Sequence, residues 1–284
     1  MSIGTPVFSV AGTVLTAMAV AWLLANAIAG PRAYRRLSAA EGRLNLIRFY
    51  TTNLVFGWLG VALVFAVLAT SPGLTAGQLG LALPSGEFAW LAVGTAFYVV
   101  VMAVIGRFRT MRRYARGKPI RAPRSVAALL PRTGPERRLA VGVAITAGIS
   151  EELMFRGLLI AAGVGLAGLS VAWSIVVAAV LFALAHLYQG PSFIVPALIG
   201  LSFTVLYVIS GSLLPGIVAH IALDVAALTI PAHVVRRPAP EPGRGMPEPV
   251  PAPDPSTLTA SDRSAPSTVS QPAQVRPPFP MPRP

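Results

Sequence analysis

The chain has 284 residues, of which 54% are hydrophobic and only 12% charged, and its mean hydropathy is clearly positive. That balance excludes an ordinary soluble globular domain and points to several membrane-spanning helices. The formal net charge of +13 would suit nucleic acid, but the basic residues lie between apolar runs rather than on one basic face; the absence of cysteine excludes disulfides, zinc-thiolate sites and a cysteine nucleophile.

Apolar runs of spanning length fall at about residues 8–29, 46–70, 88–106, 139–164, 169–189, 192–211 and 213–231. They predict an all-α, polytopic membrane bundle of about seven helices, within a range of six to eight. The first run lacks a basic segment before it and is too long for a signal-peptide core, so it reads as a permanent span. The last three runs are separated by little more than Gly190-Pro191 and Gly211-Ser212, which leaves room for one of them to be broken, tilted or re-entrant.

Charge asymmetry sets an orientation. Arg32, Arg35, Arg36 and Arg43 follow the first run and a dense basic stretch from Arg107 to Arg138 follows the third, while Ser71 to Glu87 contains no Lys or Arg. The positive-inside rule then puts the N-terminus outside and both basic loops in the cytoplasm, with the C-terminal tail on the same side of a plasma membrane. From residue 232 onward the chain is rich in proline without apolar periodicity, which predicts a disordered tail. Three regions result: helices and basic loop over 1–138, a polar-bearing membrane core over 139–231, and the tail over 232–284.

Sorting the ionisable residues narrows attention to the core. Glu41, Glu87 and Glu136 are expected in loops, and Glu241, Glu248, Asp254 and Asp262 in the tail. Of the acids and histidines, Glu151, Glu152, His186, His220 and Asp224 remain within spans, and Arg156 joins them in the fourth run. A charge at the centre of a membrane helix costs about 2.5 to 3.5 kcal/mol on the lenient scales, so these groups must face a protein interior or a wet cavity.

Spacing divides their tasks. Glu152 and Arg156, four apart, stack on one helix face and can pair, whereas Glu151 is rotated by about 100°. Arg156 therefore mainly neutralises Glu152, although it could swing toward Glu151, and Glu151 is the freer carboxylate suited to general acid–base work. His220 and Asp224, also four apart, share a face on which the acid can hold the imidazole in one tautomer. By rise alone Glu151 lies about 20 Å in from Arg138 and His220 about 24 Å in from Arg236, at similar depth. His186 is predicted nearer the end of its helix and needs a tilted helix or an open cavity to join them.

Glu151-Glu152-Leu-Met-Phe-Arg156, Phe182-Ala-Leu-Ala-His186 and His220-Ile-Ala-Leu-Asp224 together resemble the EExxxR, FxxxH and HxxxN/D motifs of the CPBP family, the type II CAAX prenyl proteases and Abi-type or bacteriocin-processing membrane proteases. The resemblance covers about residues 139–230. It implies an intramembrane endopeptidase acting on a membrane-associated peptide or protein, prenylated or bacteriocin-like among the options, in which Glu151 and His186 activate water. His220 and Asp224 would then stabilise the oxyanion or position the substrate, with Glu152 and Arg156 in support. Asp224 stands where the eukaryotic-type prenyl-protein proteases tend to have Asn, and an ionised Asp is a poor oxyanion donor.

Glu151, His186 and His220 could also supply zinc ligands. The chain lacks the HExxH spacing, which favours a glutamate-activated water without metal and leaves zinc open. A proton-coupled transporter or a non-catalytic scaffold using the same carboxylates are the competing readings. The crowding of polar residues into one half, without an internal repeat, weighs against the transporter.

Overall fold

The computed structural model describes residues 5–39, 43–118, 120–121 and 127–236. Among these, seven long helices follow one another in the predicted order: α1 (Val10–Ala39), α2 (Arg43–Thr70), α3 (Ala89–Ala115), α4, α5 (Val171–Ala185), α6 (Ile194–Ser210) and α7 (Leu214–Leu228). Helix α4 is continuous but composite: α-helical over Gly134–Glu151, π-helical over Glu152–Leu159 and α-helical again over Ile160–Gly165. In hydrocarbon the backbone must satisfy its own polar groups, and a helix does so within one segment.

Four stretches are long and apolar enough to cross a membrane: Val10–Arg35, Leu46–Thr70, Ala89–Ala115 and Leu187–Ser210. Their outer faces expose Ile28, Trp58, Phe97 and Leu198, the surface that lipid covers in such a protein. Helix α4 is the exception. Every residue from Glu152 to Ala162 is buried, with α2 and α5 packed against this stretch, so its charges meet protein rather than lipid.

Two packing details bring α4 and α7 together. Gly148 lies so close to α7 that a Cβ there would come within 2.5 Å of the Ile221 side chain and 3.1 Å of its backbone nitrogen. The entry of α4 is fixed by a capping box, in which the Thr133 hydroxyl accepts from the Glu136 N–H and the Glu136 carboxylate accepts from the backbone N–H groups of Arg132 and Thr133. Glu136, expected in a loop, thus sits fully buried in the first turn of α4.

Helices α1 and α3 also run past their apolar stretches, so Arg32, Arg35 and Arg107 to Arg113 are helical rather than looped. After α7 the chain makes a turn at Ala232–Val234, and Val235–Arg236 (β2) pairs in parallel with Ile120–Arg121 (β1). The first residues of the expected disordered tail are therefore folded. The rest of that expectation lies outside the described residues.

Candidate active site

The π-helical turn begins directly after Glu151, and such turns widen a helix and recur at functional sites. Glu152 has no exposed surface. Its Oε1 lies 3.2 Å from Arg156 Nη1 and 3.0 Å from His220 Nδ1, so one oxygen serves two partners. Arg156 is held on all sides: Nη2 donates to the Gly200 carbonyl at 2.7 Å, Nε donates to Thr204 Oγ1 at 3.3 Å, and the guanidinium lies over the Phe182 ring at 4.3 Å. This arrangement requires glycine at position 200, where a Cβ would come within 2.6 Å of both Arg156 Nη2 and Phe182.

Glu151 occupies a different environment one residue away. Its side chain is 27% exposed, and its Oε2 lies 3.9 Å from His186 Nε2 and 3.8 Å from His220 Nε2. That oxygen has no hydrogen-bond partner among the described residues. Asp224 Oδ2 is 3.6 Å from the same His220 Nε2, with its side chain 33% exposed. The two better-exposed carboxylates thus converge on His220 Nε2, and Glu151 reaches His186 Nε2 as well.

The other ring nitrogens determine what these Nε2 atoms can do. His186 Nδ1 lies 2.9 Å from the Phe182 carbonyl, which can only accept, so Nδ1 carries the proton. His220 Nδ1 faces the Glu152 carboxylate in the same way. In their neutral forms both imidazoles therefore turn a lone pair toward Glu151. Glu151 Oε2 is itself buried, so a water hydrogen-bonded to it and to an Nε2 enters when the carboxylate draws slightly away from the rings. Such a water would be hydrogen-bonded to a carboxylate and to an imidazole, the arrangement that general-base activation needs.

The same donors bear on the metal question. Two neutral imidazole Nε2 atoms, each with its Nδ1–H fixed by a carbonyl or carboxylate, and a carboxylate oxygen are of the kind zinc takes. At the separations found, however, no three His, Asp or Glu side chains among the described residues form a metal-ligand cluster.

All six predicted residues therefore lie in one neighbourhood. His186 joins it because α5 is only 15 residues long, about 22 Å by rise, and stops short of a full crossing of roughly 30 Å. His186 caps that end and the chain continues through a 3-10 segment, Leu187–Phe193, bent at Gly190 (φ 62°, ψ −147°). The contact that orients His220 comes from Glu152 rather than from Asp224. Sequence reasoning did not reach this link, because it crosses from α4 to α7. It also missed Gly200 and Thr204, whose only trace in the sequence is a small residue and a hydroxyl four apart on an apolar helix.

No curated protein and no solved structure matches the chain significantly. Residues 136–226 match the family model described as type II CAAX prenyl endopeptidase Rce1-like, and that stretch contains Glu151, Glu152, Arg156, His186, His220 and Asp224. Over this segment, about a third of its length, the chain is similar to the Rce1-like type II CAAX prenyl endopeptidases.

Proposed function

We propose that this protein is an intramembrane endopeptidase that hydrolyses a peptide bond of a membrane-associated protein through a water activated by Glu151 and His186. The observation that carries the reading is the approach of Glu151 Oε2 to two imidazole Nε2 atoms, at 3.9 and 3.8 Å, in a helix interior that otherwise pairs its charges. Glu151 takes the proton of the water as its oxygen attacks the carbonyl carbon of the scissile bond. His186 accepts a hydrogen bond from the same water and aims it. In its protonated form His220 donates through Nε2 to the oxyanion, an ion that Glu152 at Nδ1 and Asp224 near Nε2 both stabilise. As the C–N bond breaks, Glu151 returns its proton to the departing amine, and the new carboxylic acid passes its remaining water proton to that amine, leaving a carboxylate and an ammonium group.

Zinc held by Glu151, His186 and His220 would add Lewis-acid polarisation of the carbonyl and a more acidic water. Orientation follows the arginine distribution: the N-terminus outside, the basic ends of α1 and α3 in the cytoplasm, and cleavage near the cytoplasmic side of a plasma membrane. Prenylated and bacteriocin-like proteins are the substrate classes to try first.

The test is to produce the wild type and Glu151→Gln in one host and compare the protein termini of the two membrane fractions. New termini that appear only with the wild type support the peptidase, and indistinguishable termini would sink it. Activity that survives a strong zinc chelator favours the glutamate-activated water, whereas loss restored by added zinc assigns the metal.

A further inference from the structure

The two histidines of the site are held by different means. His220 is hydrogen-bonded to Glu152, stacked on Phe203 at 5.1 Å and 28°, and set mid-helix in α7. His186 sits where α5 has already ended, with φ −98° and ψ 0°, and among the described residues its ring is hydrogen-bonded to the Phe182 carbonyl of its own helix. One such bond fixes Nδ1 and leaves the ring free to swing about it. What limits the swing is ring packing: Phe182 at 4.5 Å and 35°, and Tyr188 at 6.1 Å and 30°.

Tyr188 in turn belongs to the bent segment Leu187–Phe193, which lacks the regular hydrogen-bond ladder of a long helix. Gln189 Nε2 donates to its phenol oxygen at 3.2 Å, a contact from the same short segment. The support from elsewhere comes from α1. Tyr34, 7% exposed, packs its ring on Tyr188 at 5.5 Å and 49°, and α1 runs along the 187–193 segment. Continued inward, the row of rings passes from His186 through Phe182 to Phe155, at 5.1 Å, and to the Arg156 guanidinium. One aromatic ladder therefore joins the C-terminal part of α1 to the centre of the site.

We propose that Tyr34 and Tyr188 are positioning residues for the His186 imidazole, so that α1, which lies outside the family-matched segment and carries no motif, completes the active site. Tyr34 holds Tyr188, and Tyr188 holds the ring whose Nε2 faces Glu151. Packed rings with fixed tilt resist displacement better than an aliphatic side chain of similar size, because their preferred offset and edge-on geometries are directional. The consequence for turnover rests on the peptidase reading; the consequence for the imidazole does not.

The chain has three histidines, so their ring nitrogen and carbon resonances can be resolved in the full-length, histidine-labelled protein in lipid nanodiscs and assigned by single His→Gln replacements. Tyr34→Leu is expected to shift and broaden the His186 resonances. His233, which lies edge-on to Tyr114 at 5.9 Å, should stay in place and so report an intact fold. Tyr34→Phe, which keeps the ring, should restore the wild-type His186 signal. On a farnesylated reporter peptide, Tyr34→Leu should lower kcat about tenfold, with KM held within about twofold, as a small displacement of a reacting group does.

His186 resonances unmoved in Tyr34→Leu, or moved equally in Tyr34→Phe, would overturn the proposal. Should Tyr34→Leu displace all three histidines, Tyr188→Leu carries the decision by the same criteria. A wild type that leaves the peptide uncut counts against the peptidase reading on that substrate, while the resonances still decide the positioning.

Discussion

Helices α2 and α4 lie side by side and are built largely from the same apolar residues, yet they handle polar groups in opposite ways. From Leu46 to Thr70, α2 carries a single charge, Arg48, near its start, and it presents Val55, Trp58, Leu59 and Phe65 outward. Helix α4 holds two carboxylates and a guanidinium within six residues and is fully enclosed from Glu152 to Ala162. Burial of a charge pair is tolerable only when every partner is in place, so the charged helix has to be central and the uncharged one can face lipid. Within α4 itself the contrast repeats at adjacent residues: Glu152 is fully buried and holds Arg156 and His220 through one oxygen, whereas Glu151 is partly exposed and lies 3.8 to 3.9 Å from two imidazoles.

The sharpest way to break this comparison is at Glu151. Glu151→Gln should lower peptidase turnover by about 10² to 10⁴-fold, the range for removing a general base, with an unchanged unfolding temperature followed by tryptophan fluorescence. Glu152→Gln should do the reverse in stability, costing roughly 3 to 5 kcal/mol because Arg156 stays buried without its ion partner. A Glu152→Gln protein that unfolds like the wild type would erase the distinction between the two carboxylates. Gly200→Ala tests the jacket rather than the charge. The added methyl would press on Arg156 and Phe182, and a loss of about 1 to 3 kcal/mol in the same unfolding assay is expected.

Smaller effects are expected farther out. Arg107 of α3 donates to the carbonyls of Ala226 and Thr229 at the end of α7, at 3.5 and 3.3 Å, and so ties down the helix that bears His220 and Asp224. Arg107→Gln should cost about 0.5 to 1.5 kcal/mol, the worth of such hydrogen bonds, without changing the residual activity per folded molecule. Phe65→Leu, on the outer face of α2, should fall within about 0.5 kcal/mol of the wild type. A larger loss there would mean that the outer face of α2 meets protein rather than lipid.

Much of the fold could be read along the chain. The seven apolar runs correspond to the seven helices because length and hydropathy are local properties that a bilayer enforces directly. The six ionisable residues were legible for the same reason, since charges stand out in an apolar run. The Thr133–Glu136 capping box was not read: Glu136 was expected in a loop, and the structure places it, buried, in the first turn of α4. What could not be read were contacts between helices. Neither the Glu152–His220 bond nor the Gly200 and Thr204 contacts to Arg156 leaves a periodic trace, because each joins residues 44 to 68 positions apart. The same holds for Tyr34 on Tyr188, which spans two-thirds of the folded core.

The sequence by itself therefore determined which helices form, that they suit a membrane, and which few side chains carry charge inside it, all matters of composition within one segment. The tertiary structure alone decided how those charges are shared. It ended α5 early enough to bring His186 beside Glu151, gave His220 to Glu152 instead of Asp224, and set α1 against the site. The physical reason is that hydropathy acts residue by residue, whereas a hydrogen bond or a ring contact exists only when two surfaces meet at a distance that packing, glycine by glycine, permits.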